Sequence, residues 1–348
     1  MRLRLNILLL CLLLLPEGWA QQHSFRMVSY NVENLFDCTD DSLKADDEYL
    51  PEGYRHWTPK RYRHKLNEIA KTLLALGHED EAPVLVGLYE VENEQVMEAL
   101  TRQTPLRSVR YRYLMTSSDD VRGIDIALLY RPDCFRLLSS QSIRANLPGQ
   151  RPTRDILHVS GTFFAATRDT LDLFLLHLPS RMSGTHETEP YRCHITQSVR
   201  QAIDSLYLVR QHPCILLMGD FNEGPEGKAL AEVLQVQPLP QNSEPTDTAL
   251  YNLLAKRSPS SFRAIKGSYK YRGHWELIDH LLASGTLLQA KANHLHLLPE
   301  TAEVAPLPFL LTDDRLYGGQ CPLRTYYGVN YLGGPSDHLP LVVEIISL

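Results

Sequence analysis

Cysteine is scarce and unpatterned. Six occur in 348 residues, at positions 11, 38, 134, 193, 214 and 321. None stand in C-x-x-C spacing, which excludes a zinc ribbon, a thioredoxin-like motif and a dense disulfide scaffold, although an exported chain could pair some of them. Cys214, inside an apolar run, reads as a small buried hydrophobe. Basic charge is also short: 35 Lys and Arg face 41 Asp and Glu, a formal charge of −6. That argues against a bulk electrostatic grip on nucleic acid, while leaving room for a local basic groove. No apolar run reaches the roughly 20 residues a bilayer span needs. No repeat, glycine-serine linker or low-complexity tract divides the chain, so one domain over residues 21–348 is the simplest account.

The longest apolar run lies at the start. In "MRLRLNILLLCLLLLPEGWA", Arg2 and Arg4 precede an apolar stretch from Ile7 to Leu15, and Gly18-Trp19-Ala20 precede Gln21. This is the pattern of a secretory signal peptide over residues 1–20. It predicts export by the general secretory route to the periplasm or the cell exterior. Removing Arg2, Arg4 and Glu17 takes the formal charge to −7.

Beyond it, short apolar runs alternate with helical patterns. Strands are expected at 25–31, 83–89, 124–130, 171–177, 214–218, 277–283 and 339–346. Helices are expected in "RYRHKLNEIAKTLLAL", in "HITQSVRQAIDSLYLV" and after Asn93, a good N-cap. Segments 38–59, 181–191 and 285–335 read as long loops. The composite is an α/β domain with helices covering sheets.

Polar groups collect at the strand ends. "PCILLMGDFNEGPEG" follows an apolar run with Asp220 and Asn222, which share a face if the strand continues. That pair is either a turn signal or half of a ligand site. Asn31 ends the first strand, Glu90 the second and His177 another, with Arg181 just beyond. Asp279 interrupts "HWELIDHLLAS", and an ionisable group among apolar neighbours needs a partner. Asp337 and His338 precede the last strand. Singly, Asn31 is a turn residue and Glu90 a solvated charge; together the set marks a site. The acidic residues Asp40, Asp41, Asp46, Asp47 and Glu48 lack calcium-loop spacing and read as a solvated loop. "KRYRHK" reads as a polar helix face and His280 as structural.

The stretches "YNVEN", "YEVEN", "LLHLPSR", "MGDFNEGP", "ELIDHLLAS" and "PSDHLPLVVEI", in this order across Tyr30 to Ile345, resemble the endonuclease/exonuclease/phosphatase superfamily of metal-dependent phosphoesterases. The resemblance implies a four-layered α/β sandwich: two central, mostly antiparallel or mixed sheets face to face, with helices outside. It implies Mg²⁺ or Mn²⁺ on Glu90 and Asp337 with Asn31 assisting, hard oxygen ligands suited to such ions. It makes His338 the base that activates water and Asp279 its orienting carboxylate. Asp220 and Asn222 would align water and phosphate, and His177 would hydrogen-bond the phosphoryl oxygens or the leaving group. Arg181, Arg122, Arg131, Arg272, Arg324 and Tyr326 are candidates for a substrate-binding rim.

The leading reading is an exported, monomeric phosphodiesterase or nuclease acting by direct attack of water. The alternative is a phosphomonoesterase for inositol, sugar or nucleotide phosphates. A non-catalytic binding module on the same fold predicts a gap in the constellation, and none is found.

Overall fold

The computed structural model describes residues 24–78, 81–164, 167, 169–181, 184–255 and 265–347; the expected export segment lies outside them. In chain order the elements begin with β1 (Ser24–Leu35), α1 (Pro59–Ala75), β2 (Leu85–Val91), α2 (Glu94–Arg102), β3 (Arg112–Met115) and β4 (Asp125–Tyr130). Then come β5 (Phe135–Ile143), β6 (Ile156–Phe163), β7 (Leu171–His177), α3 (Thr185–Val209), β8 (Cys214–Asp220), β9 (Gln237–Pro238) and β10 (Leu250–Asn252). The rest are β11 (Tyr269–Tyr271), β12 (His274–Glu276), β13 (Asp279–Ser284), α4 (Gly285–Leu288), β14 (Leu295–Val304), β15 (Leu311–Asp313), β16 (Gln320–Pro322), β17 (Tyr326–Tyr327), β18 (Asn330–Tyr331) and β19 (Leu341–Ser347).

Two large mixed sheets result, ordered β14-β19-β1-β2-β4-β3 and β5-β6-β7-β8-β13-β10-β9. The pairs β1/β2 and β7/β8 run parallel. Their strands are apolar on both faces because each face is covered. Met27, Leu85, Leu128, Leu173, Leu175, Leu216 and Met218 point inward into the core between the sheets. The alternate residues Val28, Val86 and Leu88 pack outward against Leu66, Ile69 and Leu73 of α1 and Val96 and Leu100 of α2. On the other side Phe174, Leu176, Ile215 and Leu217 meet Ile195, Val199 and Ile203 of α3. These are the four layers that the resemblance implied.

Several local expectations are corrected. The segment 285–335 is not one loop, because Leu295–Val304 pairs with β19 as an edge strand of the first sheet. Half-buried along its length, it offers no clean apolar alternation. β5 and β6 were also hidden: β5 is a largely exposed edge strand rich in serine. α3 starts at Thr185, so the loop before it is short. Asp46 of the acidic segment is buried rather than solvated. All five cysteines among the described residues are free thiols.

The sheets approach closely below the strand ends. A Cβ on Gly87 would stand 2.8 Å from the Tyr89 hydroxyl and 2.9 Å from Leu175 Cδ2. The space left by this glycine lets Tyr89 donate across to the Met218 carbonyl of the other sheet at 2.8 Å. Gly87→Val should therefore destabilise the protein by about 1–3 kcal/mol through overpacking. A lowered urea midpoint with unchanged m-value checks it.

Candidate active site

The register of the second sheet builds one row of polar side chains. His177, the last residue of β7, lies opposite Asp220, the last of β8, and Asp220 lies opposite Asp279, the first of β13. All three continue the inward-facing positions below them, where Leu175, Met218 and Leu281 fill the core. They remain buried at the rim.

The first sheet faces this row with Asn31 and Glu90. By alternation from Tyr89, Glu90 would point outward. The β2/β4 register instead shifts between Tyr89 and Val91, and Glu90 takes a left-handed φ of 67°. Such a bulge re-aims a side chain. Glu90 Oε1 thereby accepts from Asn31 Nδ2 at 3.3 Å and Oε2 from the Asn34 amide at 2.8 Å. Asn31 Nδ2 also donates to Asp220 Oδ2 at 3.1 Å, joining the sheets across the site.

His338 arrives from the loop before β19. Its Nδ1 contacts Asp279 Oδ2 at 2.8 Å, and its Nε2 stands 3.8 Å from Asp220 Oδ2 and 4.0 Å from Asp337 Oδ1. The Ser268 hydroxyl also donates to Asp279. Ser336 donates from its hydroxyl to the Asn31 carbonyl at 2.6 Å, and that hydroxyl accepts the His338 amide at 2.9 Å. The loop is thus fixed to the strand that carries Asn31.

Burial sets the electrostatics. Desolvation, then repulsion from Asp279, pushes Asp220 up to about 7. Burial opposes charge on His338, but Asp279, Asp220 and Asp337 outweigh it and hold the imidazole well above its usual range. His177 goes the other way: burial, then Arg154, Arg122 and His338, holds it well below the usual imidazole range. Its Nδ1 is buried with no hydrogen-bond partner among the described residues, while Nε2 stands 3.7 Å from Glu90 and 3.6 Å from Asp220. A bare lone pair is the less costly group to leave unpaired, which assigns the proton to Nε2.

Glu90 and Asp220 present carboxylate oxygens that no Lys or Arg side chain meets among the described residues, and the nearest imidazole nitrogens stand beyond hydrogen-bond distance. Hard oxygens without a cationic partner fit a divalent cation of the Mg²⁺ class. Asp337 comes within 4.0 Å of His338 Nε2 but is held by Arg324 Nη2 at 2.7 Å.

Other expected residues divide. Arg324 lies in the site beside Tyr269, whose ring leans on His338 with centroids 4.9 Å apart and planes tilted by 38°. Arg122 reaches Asn34 Oδ1 at 3.4 Å, near His177. Arg181 lies at the rim, paired with Glu276 of β12. Arg272 turns the β11–β12 hairpin with its guanidinium over Tyr271. Arg131 is a correction: β4 runs antiparallel to β2, so Tyr130 pairs with Leu85 at the far end of the sheet, and Arg131 is neutralised there by Glu81 and Asp133. Tyr326 is another, buried against Trp57 with its hydroxyl on the Arg55 carbonyl. Asn222 lies past the end of β8 with φ 52°, so strand alternation does not aim it. Its amide holds Asp220 Oδ1 at 2.8 Å and its carboxamide donates to the Leu178 carbonyl at 3.0 Å, which makes it a positioning residue.

Some supporting residues carried no sequence signal. Arg154 is buried and donates to the carbonyls of His177 and Leu178, fixing the tip of β7. Lys65, read as part of a polar helix face, is buried and donates to the Glu33 carbonyl and, at 2.7 Å, to Thr325 Oγ1. His280 is structural as expected, contacting Asn252 Nδ2 through Nδ1 and the Glu223 carbonyl through Nε2. Burial pulls it down to about 4. The unfolded chain takes up a proton near pH 6.5 that the folded protein refuses until about pH 4, so stability falls as pH drops through that window. Wild type should lose about 2 kcal/mol between pH 7 and pH 5 from this group alone. Comparison of urea unfolding with His280→Gln measures it, as the variant should show a correspondingly flatter acid slope.

A family model described as "Endonuclease/Exonuclease/phosphatase family" matches residues 26–347. No curated protein matches the sequence. Among solved structures, an endonuclease/exonuclease/phosphatase family protein from Bacteroides thetaiotaomicron is 17% identical with a TM-score of 0.55, covering 94% of this chain and 97% of that one. Truncated TDP2 from Caenorhabditis elegans is 14% identical with a TM-score of 0.54, covering 93% and 98%. ANGEL2, described as a 2′,3′-cyclic phosphatase and solved with adenosine-2′,3′-vanadate, is 15% identical with a TM-score of 0.59, covering 94% and 96%. With the match running nearly end to end across the described chain, the protein belongs to the endonuclease/exonuclease/phosphatase family.

Proposed function

We propose that the protein is an exported, Mg²⁺-dependent phosphodiesterase in which water attacks phosphorus directly. The observation that carries this reading is the His338–Asp279 pair set beside Asp220, which Asn31 of the facing sheet joins to Glu90. Asp279 holds His338 by Nδ1, leaving Nε2 to accept a proton from water. Asp279, Asp220 and Asp337 favour the imidazolium, so Nε2 accepts only after losing its resting proton, and a cation held beside these carboxylates would favour that loss. Asp220, fixed by Asn31 and the Asn222 amide, orients the water in line with the phosphate. Neutral His177 donates from Nε2 to a phosphoryl oxygen. Glu90, whose oxygens meet no Lys or Arg among the described residues, would hold Mg²⁺ or Mn²⁺, with Asp337 joining on release from Arg324; the bound cation would neutralise charge on the phosphoryl oxygens.

Charge favours a diester over a monoester. Arg324 is paired with Asp337 and Arg181 with Glu276, so few rim cations are left for a dianion. A singly charged diester asks for less. The cyclic phosphate named for ANGEL2 is also a diester. Tyr271, Tyr317 and Tyr327 are exposed, a setting in which rings can stack on a base. Export is supported by Arg2, Arg4 and the apolar run from Ile7 to Leu15. Among the described residues no helix is long and apolar enough to cross a membrane.

The test is Mg²⁺-dependent hydrolysis by the mature protein of matched diester and monoester substrates, single- and double-stranded DNA, and inositol phosphates. Diester cleavage should vanish with chelator and fall about 10²–10⁴-fold in His338→Ala and Asp220→Ala. Phosphate release from monoesters alone would overturn the diester reading. Background rates on every phosphoester would favour a binding module.

A further inference from the structure

At the end of the sandwich remote from the catalytic row, a second group of ionisable side chains converges. Asp169 precedes β7, His212 precedes β8 and His294 precedes β14, so the group draws on both sheets. β7 and β8 run from here to His177 and Asp220, which puts about 20 Å between the two sites. His294 Nδ1 lies 3.0 and 3.1 Å from the Asp169 oxygens, and Asp169 Oδ2 also accepts the Leu295 amide at 2.8 Å. His212 Nε2 is 4.0 Å from Asp169 Oδ2. The imidazole rings lie 4.0 Å apart, tilted by 36°. One donor atom from each of the three lies within 4.8 Å of the others.

A carboxylate clamp on His294 and the β14 amide would explain Asp169 and His294 without a ligand. It does not explain His212. Its Nε2 atom is buried and has no hydrogen-bond partner among the described residues, although it is turned toward the carboxylate. A nitrogen held out of water beside an imidazole and a carboxylate, too far for a hydrogen bond, is arranged as a ligand is. We propose that Asp169, His212 and His294 form a structural Zn²⁺ site that ties the two sheets together. Zn²⁺ takes His nitrogen and carboxylate oxygen at about 2.0–2.2 Å, so tetrahedral donors stand roughly 3.3–3.6 Å apart, between the separations seen here. Two imidazoles and one carboxylate suit Zn²⁺ better than Mg²⁺, which prefers oxygen. The Cys214 thiol adjoins Asp169 but falls outside the group of converging donor atoms, which leaves the fourth position to water.

The site is independent of the phosphoesterase reading, and so is its test. Mature protein stripped with chelator is exposed to Zn²⁺, then measured for bound zinc and melting temperature. Wild type should bind an equivalent of Zn²⁺ that Glu90→Gln keeps and that His212→Ala and His294→Ala each lose. The wild-type melting point should rise roughly 5 °C at 100-fold excess over the dissociation constant, and the histidine variants should not show the rise. Diester hydrolysis in Mg²⁺ should stay within about twofold in both histidine variants, since neither residue lies near the catalytic row. Unchanged zinc content in those variants overturns the proposal. If either variant fails to fold, zinc-edge anomalous scattering from wild-type crystals decides: a peak bounded by Asp169, His212 and His294 supports the site, and its absence there overturns it.

Discussion

Two carboxylates side by side in a buried row, Asp220 and Asp279, are the constraint around which the rest of the candidate site is arranged. Unpaired, each would be costly to bury, and next to one another they repel. Several hydrogen bonds nearby answer that problem. Asp220 receives the Asn31 carboxamide and the Asn222 amide. Asp279 receives the Ser268 hydroxyl and the His338 ring. The residual tension is the upward shift of Asp220 to about 7 and the strong preference of His338 for its proton. A site in this condition has affinity for positive charge and for protons, the two things that phosphoester hydrolysis requires it to handle.

The second constraint is geometric. Strands that bury both faces are built from apolar residues, and regular alternation would send half of any polar ends into the outer layers. The chain solves this where the strands finish. Glu33, Asn34, Glu90 and Asn222 all adopt left-handed backbone with φ between 49° and 67°. Conformations of this kind are uncommon for non-glycine residues and gather at functional sites. At Glu90 the consequence is direct, since the bulge turns its carboxylate to Asn31 and away from α1.

The sequence revealed the site better than its surroundings. Asn31, Glu90, His177, Asp220, Asp279 and His338 were legible because each punctuates an apolar run, and the fold brings these six together. The layers were legible for a related reason: central strands buried on both faces read as unbroken apolar runs. Edge strands did not, because β5 and β14 bury too little to show a period. Arg131 was misassigned because the sequence does not record which way β4 runs, and Tyr326 because an aromatic residue in a loop reads the same whether it lines a rim or fills a core. Arg154, Ser268 and Ser336 escaped notice since their partners are distant in sequence, as with the Ser336 bond to the Asn31 carbonyl.

Lys65 shows how such partners govern the site without touching it. Its ammonium is buried where desolvation draws it down to about 8, with Glu33 the leading opposing charge. A buried ammonium is weak evidence for stability, because its desolvation offsets much of what its contacts contribute. Its placement explains more. From α1 it reaches the Glu33 carbonyl at the end of β1 and Thr325 in the loop that carries Arg324. Glu33 accepts the Thr325 amide in turn, and Arg324 pairs with Asp337. The helix, the strand bearing Asn31 and the loop bearing Arg324 are therefore fixed to one another by a single side chain. An apolar residue of the same length could fill that volume, but it could not hold the Glu33 carbonyl and the Thr325 hydroxyl together. Burying this lysine serves to fix the strand end and the loop in position beside the candidate site.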